Sequence, residues 1–180
     1  MHTDILITAP VGLLPMLAFL AALVYLDSYK LVAFRAVLWA IAAGGLLTVA
    51  GYFLNDFLLQ LLPFEPGSFS RYVSPVTEEA LKALVIVCLF RTHRIGFLVD
   101  SAIMGFAVGA GFALVENVYY LYSAEHSNVA VWIVRGFGTA IMHGGVTAIF
   151  AIVSQALIER SMRINPLHYL PGLAAAIALH

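Results

Sequence analysis

Five charged side chains fall inside long apolar runs of this sequence: Glu78, Glu79, Lys82, Glu116 and Arg135. His143 and His180 stand in the same runs as further titratable groups. A charge near the centre of a membrane helix costs about 2.5 kcal/mol or more, so such residues face a bundle interior or a wet cavity and mark a working site. Carboxylates, imidazoles, an ammonium and a guanidinium together can take a proton from water, hold it and stabilise a developing oxyanion. They could equally pass a proton or an ion through a membrane. Glu78 and Lys82 are spaced i,i+4 with the acid first, the favourable ion-pair order, and Glu79 is i,i+3 from the same lysine. Lys82 can thus neutralise one carboxylate and leave the other free, and the i,i+4 order favours Glu79 as the free one.

The elements that must carry these groups are membrane helices. The chain has 180 residues, of which 62% are hydrophobic and only 11% charged, against about 25% charged in soluble domains; its mean hydropathy is +0.96. Nine Lys and Arg against ten Asp and Glu give a formal charge of −1, which excludes a nucleic-acid partner held by counterion release. Cys88 is the single cysteine, so no internal disulfide forms, and no CxxC or HExxH motif is present. Apolar runs at about 5–26, 31–62, 75–90, 96–122, 129–158 and from 167 onward predict an all-α polytopic bundle of about six transmembrane helices around a central polar cavity. The start of the chain lacks a basic n-region, so the first run is expected to be a retained span. The last run, about fourteen residues long, is too short to cross, and is expected to continue past position 180 of one integral-membrane domain.

Lys30, Arg35, Arg91, Arg94, Arg160 and Arg163 flank the first, third and fifth loops, whereas Arg71 alone marks the second and fourth. The positive-inside rule therefore puts the N-terminus outside the cytoplasmic (inner) membrane of a prokaryote. Glu78 and Glu79 then begin the third helix at its outer end, and Glu116 lies about 10 Å before the outer end of the fourth. Arg135 is early in the fifth, His143 is two turns deeper, and His180 is about 20 Å up the sixth. Seven ionisable groups from four helices thus converge between the midplane and the outer face. The third run is short for the bilayer, so its outer end is expected to be recessed. The segment 63–70 predicts an ordered external loop.

Thr139, His143 and Thr147 form a polar stripe at i,i+4 spacing, Phe112 and Glu116 share a face, and glycines at 105, 109, 111, 136, 138, 144 and 145 allow close helix approach. The stretches Glu78-Glu79-Ala80-Leu81-Lys82, Gly111-Phe112-Ala113-Leu114-Val115-Glu116-Asn117, and Arg135 through His143-Gly144-Gly145 resemble, in order, the motifs of the PrsW family of intramembrane proteases. The likeness runs from about 75 to 180, and that family looks like a branch of the superfamily of CAAX prenyl endopeptidases, with its pattern EExxxR, FxxxH and HxxxN. Lys82 stands one position nearer than the arginine, Glu116 replaces the first histidine, Thr147 stands where Asn would be, and His180 resembles the last-helix histidine.

The resemblance implies an endopeptidase acting on membrane-protein substrates near the outer face of the bilayer, with single-pass substrates of the anti-sigma-factor type as the expected class. Either Glu78 or Glu79 serves as general base: the superfamily pattern favours Glu78, the ion pair Glu79. Asn117, Lys82 and Arg135 are the candidate oxyanion donors. Three carboxylates against two cations leave one negative charge over. A zinc ion (Zn2+) held by Glu116, His143 and His180, with water in the fourth position, would resolve it, as would a proton on one glutamate. Blander readings are a helix cap for Glu78, Glu79 and Lys82, snorkelling for Arg135, and interface-belt roles for Tyr119, Tyr120, Tyr122 and Trp132. Cys88 is expected to be a packing residue, and His93, His126 and His168 have no assigned role. A proton- or ion-coupled transporter and a catalytically inactive escort of membrane proteins are the rival functions.

Overall fold

A computed structural model describes residues 32–123, 129–163 and 165–180, with a few separate positions between 10 and 25. The first expected span, 5–26, therefore lies largely outside the described residues. Among the described residues all regular structure is helical: α1 (Phe34–Leu61), α2 (Pro66–Tyr72), α3 (Ser74–Arg91), α4 (Leu98–Ser123), α5 (Val129–Ser161), a 3-10 turn at Pro166–Tyr169, and α6 (Leu170–Leu179). Helices α1, α4 and α5 are long and apolar enough to cross a bilayer. Helix α3, with 18 residues, is about 27 Å long and slightly short of a bilayer core.

Helix ends follow local chemistry. Proline sits in the first two positions of α2, α3 and α6, where its missing N–H costs nothing. Asp100, in the first turn of α4, accepts from the backbone N–H groups of Gly96 and Phe97, both at 3.1 Å. Asn165 caps the 3-10 turn by accepting from Leu167 N–H at 3.0 Å. The expected external loop at 63–70 contains the start of α2, which buries Phe69.

Helix α4 is the spine of the bundle. Every residue from 103 to 113 is buried, because α1 packs on one side and α5 on the other. Both contacts are made backbone to backbone. A Cβ added at Gly111 would stand 2.0 Å from the Ile41 carbonyl oxygen on α1, and one at Gly109 would stand 2.0 Å from the His143 carbonyl oxygen on α5. Thr48 of α1 reinforces the first contact by donating to Phe112 O at 3.0 Å. Helix α6 packs against α5, with Gly172 facing Phe150, and the turn before it stacks Tyr169 on Phe90 of α3.

Two side-chain expectations fail here. Trp132 is 2% exposed, so it packs inside the protein and is not an interface-belt residue. Cys88 points outward from α3 and does not fill the core.

Candidate active site

The seven ionisable groups form one unbroken chain of contacts across α6, α3, α5 and α4. His180 Nδ1 lies 2.7 Å from Glu79 Oε1, and Lys82 Nζ lies 2.6 Å from the same oxygen. Lys82 Nζ also lies 3.0 Å from His143 Nδ1, whose Nε2 is 2.8 Å from Glu116 Oε2. Arg135 then approaches Glu116 Oε1 at 3.4 Å. Glu78 joins from the side, with Oε2 3.7 Å from His180 Nε2.

The helices make this possible through their spacing. Glu79 and Lys82 share the buried face of α3, and the Gly109 approach brings the α5 backbone against α4 at the level of His143. Thr147 then ties down the His143 carbonyl by donating to it at 2.8 Å. The ring of Phe112 lies beneath Lys82 Nζ, 4.4 Å from its centroid, so the buried ammonium gains a cation–π contact as well as its ion pair.

An ammonium has no acceptor, so Lys82 donates to His143 Nδ1. The His143 proton consequently sits on Nε2 and is donated to Glu116. By the same logic His180 donates from Nδ1 to Glu79, which leaves Nε2 turned toward Glu78. Lys82 and Glu79 are almost fully buried, whereas Glu78 and Glu116 keep partial exposure.

The pairing differs from the one that the i,i+4 order favours. Lys82 holds Glu79, not Glu78, because the buried lysine must also reach His143 on α5. Glu116 is held by His143 and Arg135. Among the described residues, Glu78 is therefore the one carboxylate of the three with no Lys or Arg at ion-pair distance. The surplus of the tally, whether carried as a negative charge or neutralised by a proton, falls on Glu78.

Two candidate residues lie elsewhere than expected. Asn117 is fully buried and its amide donates to Thr139 Oγ1 at 3.0 Å, on the α4–α5 interface. Glu116 was expected beside both histidines. The donors that come within 4.8 Å of one another are instead Glu78, His143 and His180, a group that could hold a metal ion. Arg135 does not snorkel: its guanidinium is stacked on the ring of Tyr120, 3.7 Å from the centroid, and turned to Glu116.

A cleft of about 540 Å³ opens beside this network between α1, α2, α3 and α4, and Glu78 and Glu116 both reach it. It lies at the side of the bundle and not at its centre, with Glu79, Lys82 and His143 buried behind. Tyr119 and Tyr120 line the cleft, whereas Tyr122 is 86% exposed, as an interface aromatic would be. The sequence drew no attention to the α1 wall, which contributes Thr48, Tyr52, Asn55 and Asp56. The available signal was polar residues on one face of an otherwise apolar run.

Comparison with known proteins shows the family. The profile described as "PrsW family intramembrane metalloprotease" matches residues 32–180. A curated relative, "Protease PrsW" of Clostridioides difficile (strain 630), is 30% identical over 122 residues, which cover 65% of this chain and 50% of the relative. The chain thus spans about half the length of the curated relative it matches. No solved structure matches.

Proposed function

Because the chain belongs to the PrsW family of intramembrane proteases, we propose that it cuts membrane-protein substrates, with Glu78 as the residue that takes the proton of the attacking water. One observation carries this reading: among the described residues Glu78 is the carboxylate of the three with no Lys or Arg at ion-pair distance, it lines the cleft, and it faces His180 Nε2 across 3.7 Å. At 3.7 Å the two groups are too close for a water to stand between them, so the attacking water sits beside the pair, on the cleft side that Glu78 borders. His180, anchored through Nδ1 on Glu79, orients that water. Once Glu78 has accepted the proton, it can deliver it to the leaving amine as a general acid. Arg135, the more exposed of the two cations, is the donor we assign to the developing oxyanion. Lys82 keeps Glu79 and His143 in register.

One carboxylate and two imidazoles are a catalytic zinc donor set, and Glu78, His143 and His180 supply it within 4.8 Å. Tetrahedral zinc–ligand bonds of about 2.0–2.2 Å need the donors closer than that, and His143 must release Lys82 or Glu116 to offer a lone pair. Both are side-chain rotations. A zinc ion there would supply Lewis acidity toward the scissile carbonyl and the bound water. A carboxylate has two oxygens, so Glu78 can bind through one and hold the proton on the other. Protein purified without chelator is expected to contain about one zinc per chain, and His180→Ala to lose it. Metal-free protein that cleaves at the full rate would remove zinc from the mechanism and leave Glu78 in place.

The substrates proposed are single-pass proteins, of the anti-sigma-factor type, cut near the external face. The support is that the cleft lies at the ends of the helices that the loop cations assign to the outside. Incubating the purified chain with candidate single-pass substrates, with and without chelator, tests the activity. Cleavage lost in His143→Ala at unchanged expression is the expected result, and substrates left intact by the unaltered protein would overturn it.

A further inference from the structure

A peptide bond inside a helix is shielded by its own hydrogen bonds, so an intramembrane protease must hold its substrate unwound. Each opened N–H and C=O then costs several kcal/mol in a water-poor setting unless the enzyme pairs it. Groups able to do so line the cleft. On α1, Thr48, Tyr52, Asn55 and Leu59 follow one another at i,i+4,i+7,i+11 and all line it. Thr48 is already committed to the carbonyls of Gly44 and Phe112, at 3.2 and 3.0 Å. Asn55 is not fully committed. One end of its side-chain amide meets the Thr77 hydroxyl, which also bonds to Ser74 O at 2.9 Å. Thr77 immediately precedes Glu78. An asparagine amide has one acceptor oxygen and two donor hydrogens, and the end away from Thr77 has no partner among the described residues.

We propose that Asn55 is a substrate-positioning residue, whose side-chain amide pairs with a backbone peptide group of the unwound substrate segment next to the scissile bond. The proposal rests on the proteolytic reading above. The residue combines three properties needed for the task. It has unused hydrogen-bonding capacity, it lies on the wall of the cleft that Glu78 also lines, and its bond to Thr77 fixes it relative to that carboxylate. Its chemistry is that of the group it would bind: a side-chain amide matches a peptide amide in either orientation. Recognition of this kind reads the unwound backbone and not a particular side chain.

The alternative is that Asn55 only cross-links α1 to α3. Peptides cleaved by the unaltered chain are first selected from a pool of synthetic single-pass peptides with randomised centres, presented in bicelles. One is then remade with an ester at each peptide bond flanking the cut in turn, which removes the N–H and weakens the carbonyl of that one group. Asn55→Leu is expected to raise KM about tenfold with kcat within about threefold, and Asn55→Gln to recover part of the loss. Thr77→Val, which loosens the amide without removing it, is expected to raise KM by no more than about threefold, less than Asn55→Leu does. One ester position should lower kcat/KM about tenfold for the unaltered chain and less than about twofold for Asn55→Leu, the coupling that marks a direct contact. Equal ester losses in both proteins at every position, or a Thr77→Val defect equal to that of Asn55→Leu, would overturn the proposal while leaving proteolysis standing. A pool from which the unaltered chain cleaves nothing would overturn the proteolytic reading, and this proposal with it.

Discussion

Glu78→Gln is expected to abolish cleavage while leaving stability unchanged, whereas Glu79→Gln, one residue further on, is expected to destabilise the fold. The two acids differ in what they hold. Glu78 borders the cleft with no Lys or Arg partner among the described residues, so exchanging its carboxylate for an amide removes a proton acceptor and strands no cation. Loss of a general base lowers turnover by about 10²–10⁴-fold, and loss of a place for the water adds to it. Glu79 is the anion of a fully buried lysine, at 2.6 Å. Removing that charge leaves Lys82 uncompensated, and breaking a buried pair costs about 3–5 kcal/mol, or about 10 °C in melting temperature for a chain of this size. Thermal unfolding in detergent beside a turnover assay separates the two. A Glu78→Gln protein that still cleaves at more than a tenth of the original rate would remove this residue from the chemistry.

Gly109→Ala is expected to damage both stability and activity, and Gly145→Ala neither. A methyl at position 109 would stand 2.0 Å from the His143 carbonyl oxygen, 2.5 Å from its carbon and 2.8 Å from Gly144 Cα. Those are backbone atoms that no rotamer can clear, so α4 and α5 must separate. Overpacking of this kind costs about 1–3 kcal/mol or more. The displaced residue is His143, which joins Lys82 to Glu116, and a misplacement of about 1 Å can cost about 10²-fold in rate. At Gly145, on the facing helix α5, an added methyl meets nothing within 4 Å, so the same chemical change there serves as the control. Full activity in Gly109→Ala would show that the close approach does not set the site.

Much of this was legible before any coordinates, and the reason is energetic. Charges inside apolar runs have few places to go, so Glu78, Glu79, Lys82, Glu116, Arg135, His143 and His180 could be expected to meet, and they do. What periodicity does not resolve is which partner each one takes. The i,i+4 rule describes pairs on a helix surface, but Lys82 is buried, and its direction is set by His143 on another helix. Asn117 shows a related limit: it follows Glu116 directly, and one step along a helix turns a side chain by about 100°, enough to send it into the α4–α5 interface. The group able to hold a metal contains Glu78 in place of Glu116 for the same reason, since the distance to His180 depends on how α6 meets α3 and no spacing within one helix encodes it. Asn55 carried no motif at all, because its significance arises only when α1 is laid against Glu78.

The spine of the bundle has a consequence for how such a protein can diversify. Where α4 meets its neighbours without intervening side chains, at Gly111 and Gly109, no volume is available to vary: enlargement would press on the Ile41 backbone at the first and on the His143 backbone at the second. The α1 bank of the cleft is free of that constraint, since its residues look into open space. Changes in which proteins are cut should therefore accumulate along that single bank, leaving the machinery opposite it untouched.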